Sequence, residues 1–173
     1  MLFKKANLED FHRIKQFYWD LIDEMSDQND KIGWKKGIYP TDSFLQESLG
    51  REELFVLEKE RQLCASVILN SACNEGYAGV PWSIACDVDE ILVPHALAVS
   101  PFRQGKGIGR YFKGEILKLA KAEKKKTVRL DILGTNTVAE RLYTGCGFHF
   151  VQAKDLFYED TGWTEYKMYE RVL

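Results

Sequence analysis

The chain has 173 residues, of which 45% are hydrophobic and 29% charged, and its formal net charge is -2 at pH 7. This length predicts one domain, residues 1–173, with enough chain for a sizeable core. The small net charge gives no reason to expect a nucleic-acid partner, and no apolar run reaches the length of a membrane span. The cysteines lack Cys-x-x-Cys spacing and the N-terminus lacks a signal-peptide pattern, so we expect a cytoplasmic protein without a metal site.

The first half of the chain predicts a strand, two helices and a hairpin. Phe11, Ile14 and Tyr18 recur at helical spacing, which is typical of an amphipathic helix. The polar stretch Ser26–Pro40 carries scattered aromatic residues and predicts a loop that either packs on itself or forms a wall of a substrate site. The predicted elements are a strand at Leu2–Ala6, a helix from Leu8 to about Met25, a short helix at Asp42–Leu49, and antiparallel strands at Leu54–Glu58 and Leu63–Asn70.

The second half predicts strands that alternate with helices, after a long irregular connection at Asn74–Asp89. The run Ile91–Val99 is almost continuously apolar, which is typical of a central strand buried on both faces. The remaining predicted elements are a helix at Tyr111–Ala122, a strand at Thr127–Leu133, a helix capped by Asn136 that ends near Tyr143, a strand that begins at Phe148–Gln152, and a last strand at Trp163–Arg171.

Three glycines at alternate positions, Gly105, Gly107 and Gly109, lie where the central strand gives way to a helix. Glycine permits unusual backbone dihedral angles and close approach of a ligand to the main chain. The first amides of a helix have no partner within it and carry the positive end of its dipole. A loop of this kind is a natural phosphate site, and Lys106 and Arg110 would add positive charge beside it.

Two common phosphate-binding patterns do not fit this loop. The Gly-x-x-x-x-Gly-Lys-Ser/Thr pattern is missing, and the third glycine of a dinucleotide fingerprint would fall at Arg110 or Phe112. The sequence does contain Gln104-x-x-Gly107-x-Gly109. This pattern resembles the Gln/Arg-x-x-Gly-x-Gly/Ala signature of the Gcn5-related N-acetyltransferases (GNATs), in which successive amides hold the pyrophosphate of acetyl-coenzyme A.

A second motif resembles another hallmark of the same family. Asn136, Ala139, Leu142-Tyr143 and Gly147-Phe148 follow one another in the family's order and at the expected distance from the glycine loop. The resemblance implies the GNAT fold of the α/β (α+β) class. That fold is a mixed, mostly antiparallel sheet of about six to seven strands, with helices on both faces and one splayed parallel pair. Here the pair would be the strands at Ile91–Val99 and Thr127–Leu133.

The resemblance also implies acetyl-CoA as cosubstrate, with no metal. Splayed strands leave backbone groups unpaired, and the amides of the pantetheine arm would satisfy them. An amide near Leu97 would polarise the thioester carbonyl. The residues expected to bind acetyl-CoA are Leu97, Ala98, Val99, Gln104, Gly105, Lys106, Gly107, Ile108, Gly109, Arg110, Asn136, Ala139 and Tyr143.

The expected reaction is direct transfer of the acetyl group to an amine in a ternary complex. Tyr143 matches the family's tyrosine that donates a proton to the departing sulfur. His95 is a candidate base, because alternation along a strand would place it on the same face as Leu97 and its ordinary pKa of about 6.5 suits the task. A hydrogen-bonded core histidine is the other interpretation of His95. Asp89, Glu90 or a chain of waters are competing bases.

The acceptor is left open by the sequence. One hypothesis is an acidic mouth for a cationic amine, formed by Glu47, Glu52, Glu53, Asp87, Asp89 and Glu90. Another is an apolar or aromatic acceptor, because the resemblance implies that the regions of Trp34, Tyr39, Tyr77 and Trp82 border the acceptor site. A non-catalytic acyl-CoA sensor with the same fold and a homodimer also remain open. A doubly wound oxidoreductase is disfavoured by the misplaced third glycine and by the lack of a second βαβ half.

Overall fold

The protein is built on a seven-stranded sheet, seen in a computed structural model that describes residues 1–25, 32–103 and 105–173. The strands are β1 (Leu2–Lys5), β2 (Leu54–Lys59), β3 (Gln62–Asn70), β4 (Ile91–Val99), β5 (Thr127–Leu133), β6 (His149–Tyr158) and β7 (Gly162–Val172). They lie in the order β1-β2-β3-β4-β5-β7-β6. All neighbours are antiparallel except β4 and β5, which run parallel, so the predicted mixed sheet is confirmed.

Helices cover both faces of this sheet. Among the described residues they are α1 (Phe11–Glu24), α2 (Asp42–Gly50), α3 (Ile108–Ala122) and α4 (Thr137–Thr144). Side chains alternate along the strands: Val56 and Ile68 pack with α1 and α2, whereas Leu57 and Val67 pack with α3 and α4. The sheet is therefore the middle of three layers. In the described ranges, no helix combines the length and the apolar character needed to cross a membrane.

The element boundaries differ most from the predicted ones at three places. The first helical segment opens with a 3-10 turn at Leu8–Asp10, where the side chains of Asn7 and Asp10 accept backbone N–H groups. Helix α3 begins at Ile108, because Gly107 is already its N-cap. Strand β6 continues to Tyr158. It is an edge strand with many exposed side chains, so it lacks the apolar alternation that would have marked its length. Residues 26–31 of the predicted loop Ser26–Pro40 lie outside the described residues.

The parallel pair separates soon after it starts. Only Ile91↔Thr127 and Leu92↔Val128 are in register, although both strands continue for several residues. The β4 backbone groups that face β5 beyond Leu92 consequently have no strand partner in the described sheet. This is the splayed pair that the resemblance implies, and its open end points toward the glycine loop.

A bulge in β4 accompanies the separation. Ile68 of β3 pairs with His95 and Ser66 pairs with Ala98, so two β4 residues lie opposite one β3 residue. Ala96 has a left-handed φ of 49°, which is unfavourable for a residue with a Cβ. The buried Tyr18 hydroxyl donates to the Ala96 carbonyl at 2.7 Å and thus helps to hold this conformation. The bulge reverses the alternation of side chains along the rest of β4.

The long connection between β3 and β4 is anchored to the sheet. The buried carboxylate of Glu170 on β7 accepts the Ser83 backbone N–H at 2.6 Å and pairs with Arg129 Nε at 2.9 Å. Arg129 also donates to the Ile84 carbonyl at 2.6 Å and lies over the ring of Trp82. Burial alone would raise the pKa of Glu170, but the Ser83 amide and the Arg129 guanidinium outweigh it and lower that pKa. The connection is therefore a fixed wall beside β5.

Candidate active site

A cavity of about 660 Å³ opens where β4 and β5 diverge. The glycine-rich loop and α3 form one end, and the described aromatic and acidic residues near the β6–β7 turn form the other. Among the predicted site residues, those that line it are His95, Leu97, Ala98, Val99, Gly105, Gly107, Ile108, Gly109, Arg110, Asn136, Ala139 and Tyr143. Gln104 lies outside the described residues. Lys106 lines a neighbouring depression beside α1, with its Nζ 3.5 Å from the Phe102 carbonyl oxygen.

The glycine loop has the geometry of an anion cradle. Gly107 is the N-cap of α3 with a left-handed φ of 76°, and Gly105 has a φ of 74°. The first regular hydrogen bond of α3 runs from Tyr111 N–H to the Gly107 carbonyl, so the amides of residues 108–110 come before the helical series. A Cβ on Gly107 would meet open space, whereas one on Gly109 would lie 3.3 Å from Leu142 Cδ1. Gly107 thus borders the cavity, and Gly109 allows α3 to pack against α4.

Two arginines that the sequence analysis did not single out also line this end of the cavity. Arg103 lies in the turn before the glycine loop and donates to the Gln62 side chain, and Arg141 lies on α4. With Arg110 they supply several positive charges around the amides. Arg141 could not be assigned to this site from a motif, because only the fold brings α4 next to the loop.

Helix α4 presents the second motif to the cavity. The Asn136 side chain accepts the Ala139 N–H at 3.0 Å, which confirms its predicted capping role. Ala139 and Tyr143 lie one turn apart and both line the cavity. The small Ala139 side chain leaves room for an extended ligand along this face.

Tyr143 is 6% exposed and is held from two sides. Its ring packs edge-on against Phe148 at 5.3 Å, and Lys113 Nζ lies 4.6 Å from its centroid. No hydrogen bond of the Tyr143 hydroxyl occurs within the described part of the chain. Burial raises the pKa of Tyr143, so the phenol keeps its proton near neutral pH and can donate a hydrogen bond.

His95 ends a chain of hydrogen bonds. Glu53 Oε2 accepts from Asn70 Nδ2 at 3.0 Å, and Asn70 Oδ1 lies 2.9 Å from His95 Nε2. The Ala72 N–H also donates to Asn70 Oδ1, which fixes the orientation of the amide. An amide oxygen only accepts, so Nε2 carries the proton and Nδ1 keeps a lone pair. Burial lowers the pKa of His95 to about 4, so the ring is neutral at pH 7.

The expectation that His95 and Leu97 share a face is wrong. Leu97 packs against the core on the α3 side, whereas the His95 ring contacts Phe44 of α2 at a centroid distance of 6.4 Å. The bulge at Ala96 is the cause, because it shifts the alternation between these two residues. Both residues still line the cavity, which passes through the gap between the strands.

Neither competing carboxylate lies at the cavity. Glu90 pairs with Lys126 at 2.6 Å at the closed end of the strand pair, where its hydrogen bond to that lysine lowers its pKa. Asp89 precedes it in the same 3-10 turn. The proposed acidic mouth is also not formed: among the described lining residues of the cavity, none belongs to the set Glu47, Glu52, Glu53, Asp87, Asp89 and Glu90.

Aromatic residues form the end of the cavity away from the glycine loop. Trp34, Tyr39 and Tyr77 line it as the sequence suggested, and Trp82 packs behind Tyr77 with ring centroids 5.3 Å apart. The carboxylates among the described lining residues are Asp131 and Asp160. The described residues contain no group of three or more His, Cys, Asp and Glu side chains that could hold a metal ion.

A family model described as an acetyltransferase (GNAT) domain matches residues 50–150. The chain belongs to this family. The match covers β2 through the start of β6, which includes the splayed pair, the glycine loop and α4 of this GNAT. No curated protein matches the sequence.

Solved structures of other GNAT proteins share the fold of this one. A GNAT-family acetyltransferase from Listeria monocytogenes superposes with a TM-score of 0.76 at 18% identity, over 99% of this chain and 94% of the other. A ribosomal-protein-alanine N-acetyltransferase from Brucella melitensis gives 0.73 at 16% identity over 100% of both chains. A phosphinothricin acetyltransferase from Sinorhizobium meliloti, solved with acetyl-CoA, gives 0.70 at 16% identity over 99% and 88%.

Proposed function

We propose that this GNAT is an N-acetyltransferase that transfers the acetyl group of acetyl-CoA directly to a primary amine in a ternary complex. The observation that carries the proposal is the cavity between β4 and β5, which joins a glycine-rich anion cradle to Tyr143 and to an aromatic, acidic end. The cavity passes through the gap between the two strands, so that both substrates could meet there. The acetyl-CoA bound to the Sinorhizobium meliloti neighbour supports the choice of cosubstrate.

The residues of the cradle fit a pyrophosphate. The amides of residues 105–109 would hold its oxygens, while Arg103, Arg110 and Arg141 would neutralise its charge. The backbone groups of Leu97–Val99 that face β5, together with the face of α4 that carries Asn136 and Ala139, would hold the amide-rich arm. When bound, acetyl-CoA supplies an activated acetyl thioester.

Tyr143 would act as the general acid. Its raised pKa keeps the phenol protonated, so that it can donate to the sulfur as negative charge develops there. The Phe148 ring and the Lys113 ammonium hold the Tyr143 ring in place. The helix thus delivers one oriented donor to the cavity.

His95 would act as the proton acceptor, with Asn70 as a positioning residue. An alkylammonium has a pKa of about 10, so a base with a pKa near 4 cannot deprotonate it in the ground state to any large extent. The N–H becomes much more acidic as the nitrogen forms its new bond, and the Nδ1 lone pair can accept the proton at that stage. His95 would then act late, on an amine that has already lost its ammonium proton.

Release of the coenzyme A thiol in the presence of a panel of amines tests this function. The panel contains monoamines, diamines, amino acids and peptide N-termini, and the control lacks an acceptor. We expect thiol release above the control with at least one class of amine. Binding of acetyl-CoA without thiol release from any amine would instead favour the non-catalytic sensor.

A further inference from the structure

The end of the cavity away from the glycine loop has an unusual composition. We call it the tyrosine–carboxylate end, and it consists of Tyr39, Tyr77, Asp131, Tyr158, Asp160 and Tyr166. The basic residues among the described lining of the cavity, Arg103, Arg110 and Arg141, belong to the other end. The half-buried Asp131 and the buried Asp160 therefore line a part of the cavity that is walled by tyrosine side chains.

Asp131 is the centre of this arrangement. The Tyr77 hydroxyl donates to Asp131 Oδ2 at 2.9 Å and the Tyr158 hydroxyl donates to the same oxygen at 2.8 Å. Oδ1 takes no part in these two bonds. Burial raises the pKa of Asp131, while the two phenols act in the opposite direction and favour the carboxylate.

The position of Asp131 links it to the reaction site. It lies three residues beyond the last β4–β5 pair, and His95 lies three residues beyond the same pair on β4. Both side chains are on the face of the sheet opposite Leu97, and both line the cavity. A molecule that contacts Asp131 therefore occupies the part of the cavity that adjoins the candidate base.

Asp160 adds a second negative charge. It is 7% exposed and lies in the turn between β6 and β7. Burial raises its pKa, and Lys35 is a cation that acts on it in the opposite direction, although Lys35 is exposed and is not among the lining residues. The Tyr158 and Tyr166 rings meet at 4.8 Å beside it.

The polar atoms around Asp131 share one hydrogen-bonding character. Because Tyr77 and Tyr158 donate their protons to Asp131, their oxygens are left to accept, as are the carboxylate oxygens. An ammonium group has three donors, no acceptor and a positive charge, so it complements such a set. Among the described residues, the cation that acts on either carboxylate is the exposed Lys35. A buried carboxylate without an ion-pair partner is costly, and an ammonium bound here would offset that cost.

We propose that the tyrosine–carboxylate end binds a primary ammonium group of the acceptor, with Asp131 as its ion-pair partner. The inference rests on the proposed function and deepens it. The acceptor class is an amine that carries positive charge and an apolar body. An amine with its own carboxylate would be repelled by Asp131 and Asp160.

Binding of small probes to the wild-type protein tests the site without any reaction. We would titrate n-butylamine, its uncharged analogue n-butanol and γ-aminobutyrate, with no acetyl-CoA present, and follow tryptophan fluorescence, since Trp34 lies 5.8 Å from Tyr39. The ammonium probe should bind at least about tenfold more tightly than either other probe, as expected for charge-assisted hydrogen bonds. Equal affinities for the amine and the alcohol would overturn the proposal, and this comparison needs no variant.

Asp131→Asn then tests the named residue. The substitution keeps the size and an oxygen acceptor, and it should weaken n-butylamine binding at least about tenfold. The control is Asp155→Asn, which makes the same change in charge at an exposed position of β6 and should leave binding unchanged. If Asp131→Asn does not fold, Tyr158→Phe removes one phenol oxygen and should weaken amine binding while n-butanol binding stays the same. Unchanged amine binding in a folded Asp131→Asn protein would contradict the assignment.

Turnover distinguishes the two ammonium groups that the site could hold. If putrescine, a four-carbon diamine, gives a much lower KM than n-butylamine and Asp131→Asn removes that advantage, the site holds the ammonium that is not acetylated. If the two amines have equal KM values and Asp131→Asn raises KM for both, the site holds the ammonium group that is acetylated. If Asp131→Asn leaves KM unchanged for both, the inference is wrong. Absence of thiol release from every amine, with n-butylamine binding intact, would refute the proposed function and leave the ammonium site standing.

Discussion

At the scale of single residues, a substitution of Tyr143 can distinguish a packing role from a chemical one. Tyr143→Phe keeps the ring between Phe148 and Lys113 and removes only the hydroxyl. We expect nearly unchanged stability and acetyl-CoA affinity, and turnover lower by about ten- to a thousandfold, the usual contribution of one positioned acid. Steady-state kinetics with pre-steady-state bursts would show whether chemistry limits the rate. Wild-type turnover in the variant under that condition would leave Tyr143 as a wall of the cavity only.

His95 calls for a different measurement, the dependence of rate on pH. Because burial lowers its pKa to about 4, the imidazole is neutral above about pH 5 and its titration should produce no limb near pH 6.5. His95→Ala should lower turnover about a hundredfold at pH 7. The loss should be similar at pH 9, because His95 would act only after a neutral amine has attacked, and a larger neutral fraction speeds the variant and the wild type alike. A loss of turnover that is matched by weaker acetyl-CoA binding, or no loss at all, would indicate a packing role.

Sequence motifs identified the site residues whose type is dictated by the local backbone conformation. Gly105, Gly107 and Asn136 were predicted because a loop and a helix start demand them at given spacings. Asp131 was not, since it is one polar position in an otherwise ordinary strand sequence. Its role depends on phenols that come from more than 25 positions away in either direction, at distances in sequence of 54 and 27 residues.

At the scale of elements, the connection between β3 and β4 depends on Glu170. Glu170→Gln leaves Arg129 buried without its counter-charge and should lower the free energy of unfolding by about 3 kcal/mol. The folded-state pKa of Glu170 is below its ordinary 4.5, so its contribution is complete above that value and is lost as pH falls through the folded-state pKa. Urea unfolding at pH 7 and pH 3 would measure both the loss in the free energy of unfolding and its dependence on pH.

The same substitution at an exposed ion pair is the control. Glu47 pairs with Arg51 at 3.4 Å on the surface of α2. Glu47→Gln should therefore barely change the urea midpoint of unfolding at either pH. The Glu170→Gln and wild-type curves should converge in acid. A constant difference between them at both pH values would mean that the carboxylate charge is not what anchors the connection.

Prediction from sequence failed at two elements for physical reasons. The bulge in β4 carries no glycine; it persists because Tyr18 on a distant helix holds the Ala96 carbonyl. The extent of β6 was missed because an edge strand with exposed faces has no strict alternation of apolar side chains. The central strand β4 was predicted from its nearly continuous apolar run, and α1 from the helical spacing of its apolar side chains.

At the scale of the whole molecule, acetyl-CoA should stabilise the native protein by mass action, with a shift in melting temperature of several degrees at saturating ligand. Gly107→Val should abolish the shift by placing a branched side chain where the pyrophosphate meets the main chain. The matched control is Gly162→Val in the β6–β7 turn, which has a φ of 67° and equally open surroundings. Backbone strain should lower the melting temperature of both variants, but only Gly107→Val should lose the shift. A full acetyl-CoA-induced shift in the melting temperature of Gly107→Val would mean that the glycine loop does not bind the pyrophosphate.

The separation of β4 from β5 has a mechanical side. It divides the sheet into blocks of four and three strands that are joined by two residue pairs. The blocks also share the core beneath α3, and a ligand whose amides bridge the gap would add hydrogen bonds between β4 and β5. Attack on a carbonyl requires alignment to a fraction of an ångström. The ligand would therefore tighten the frame at the place where it presents the group to be transferred.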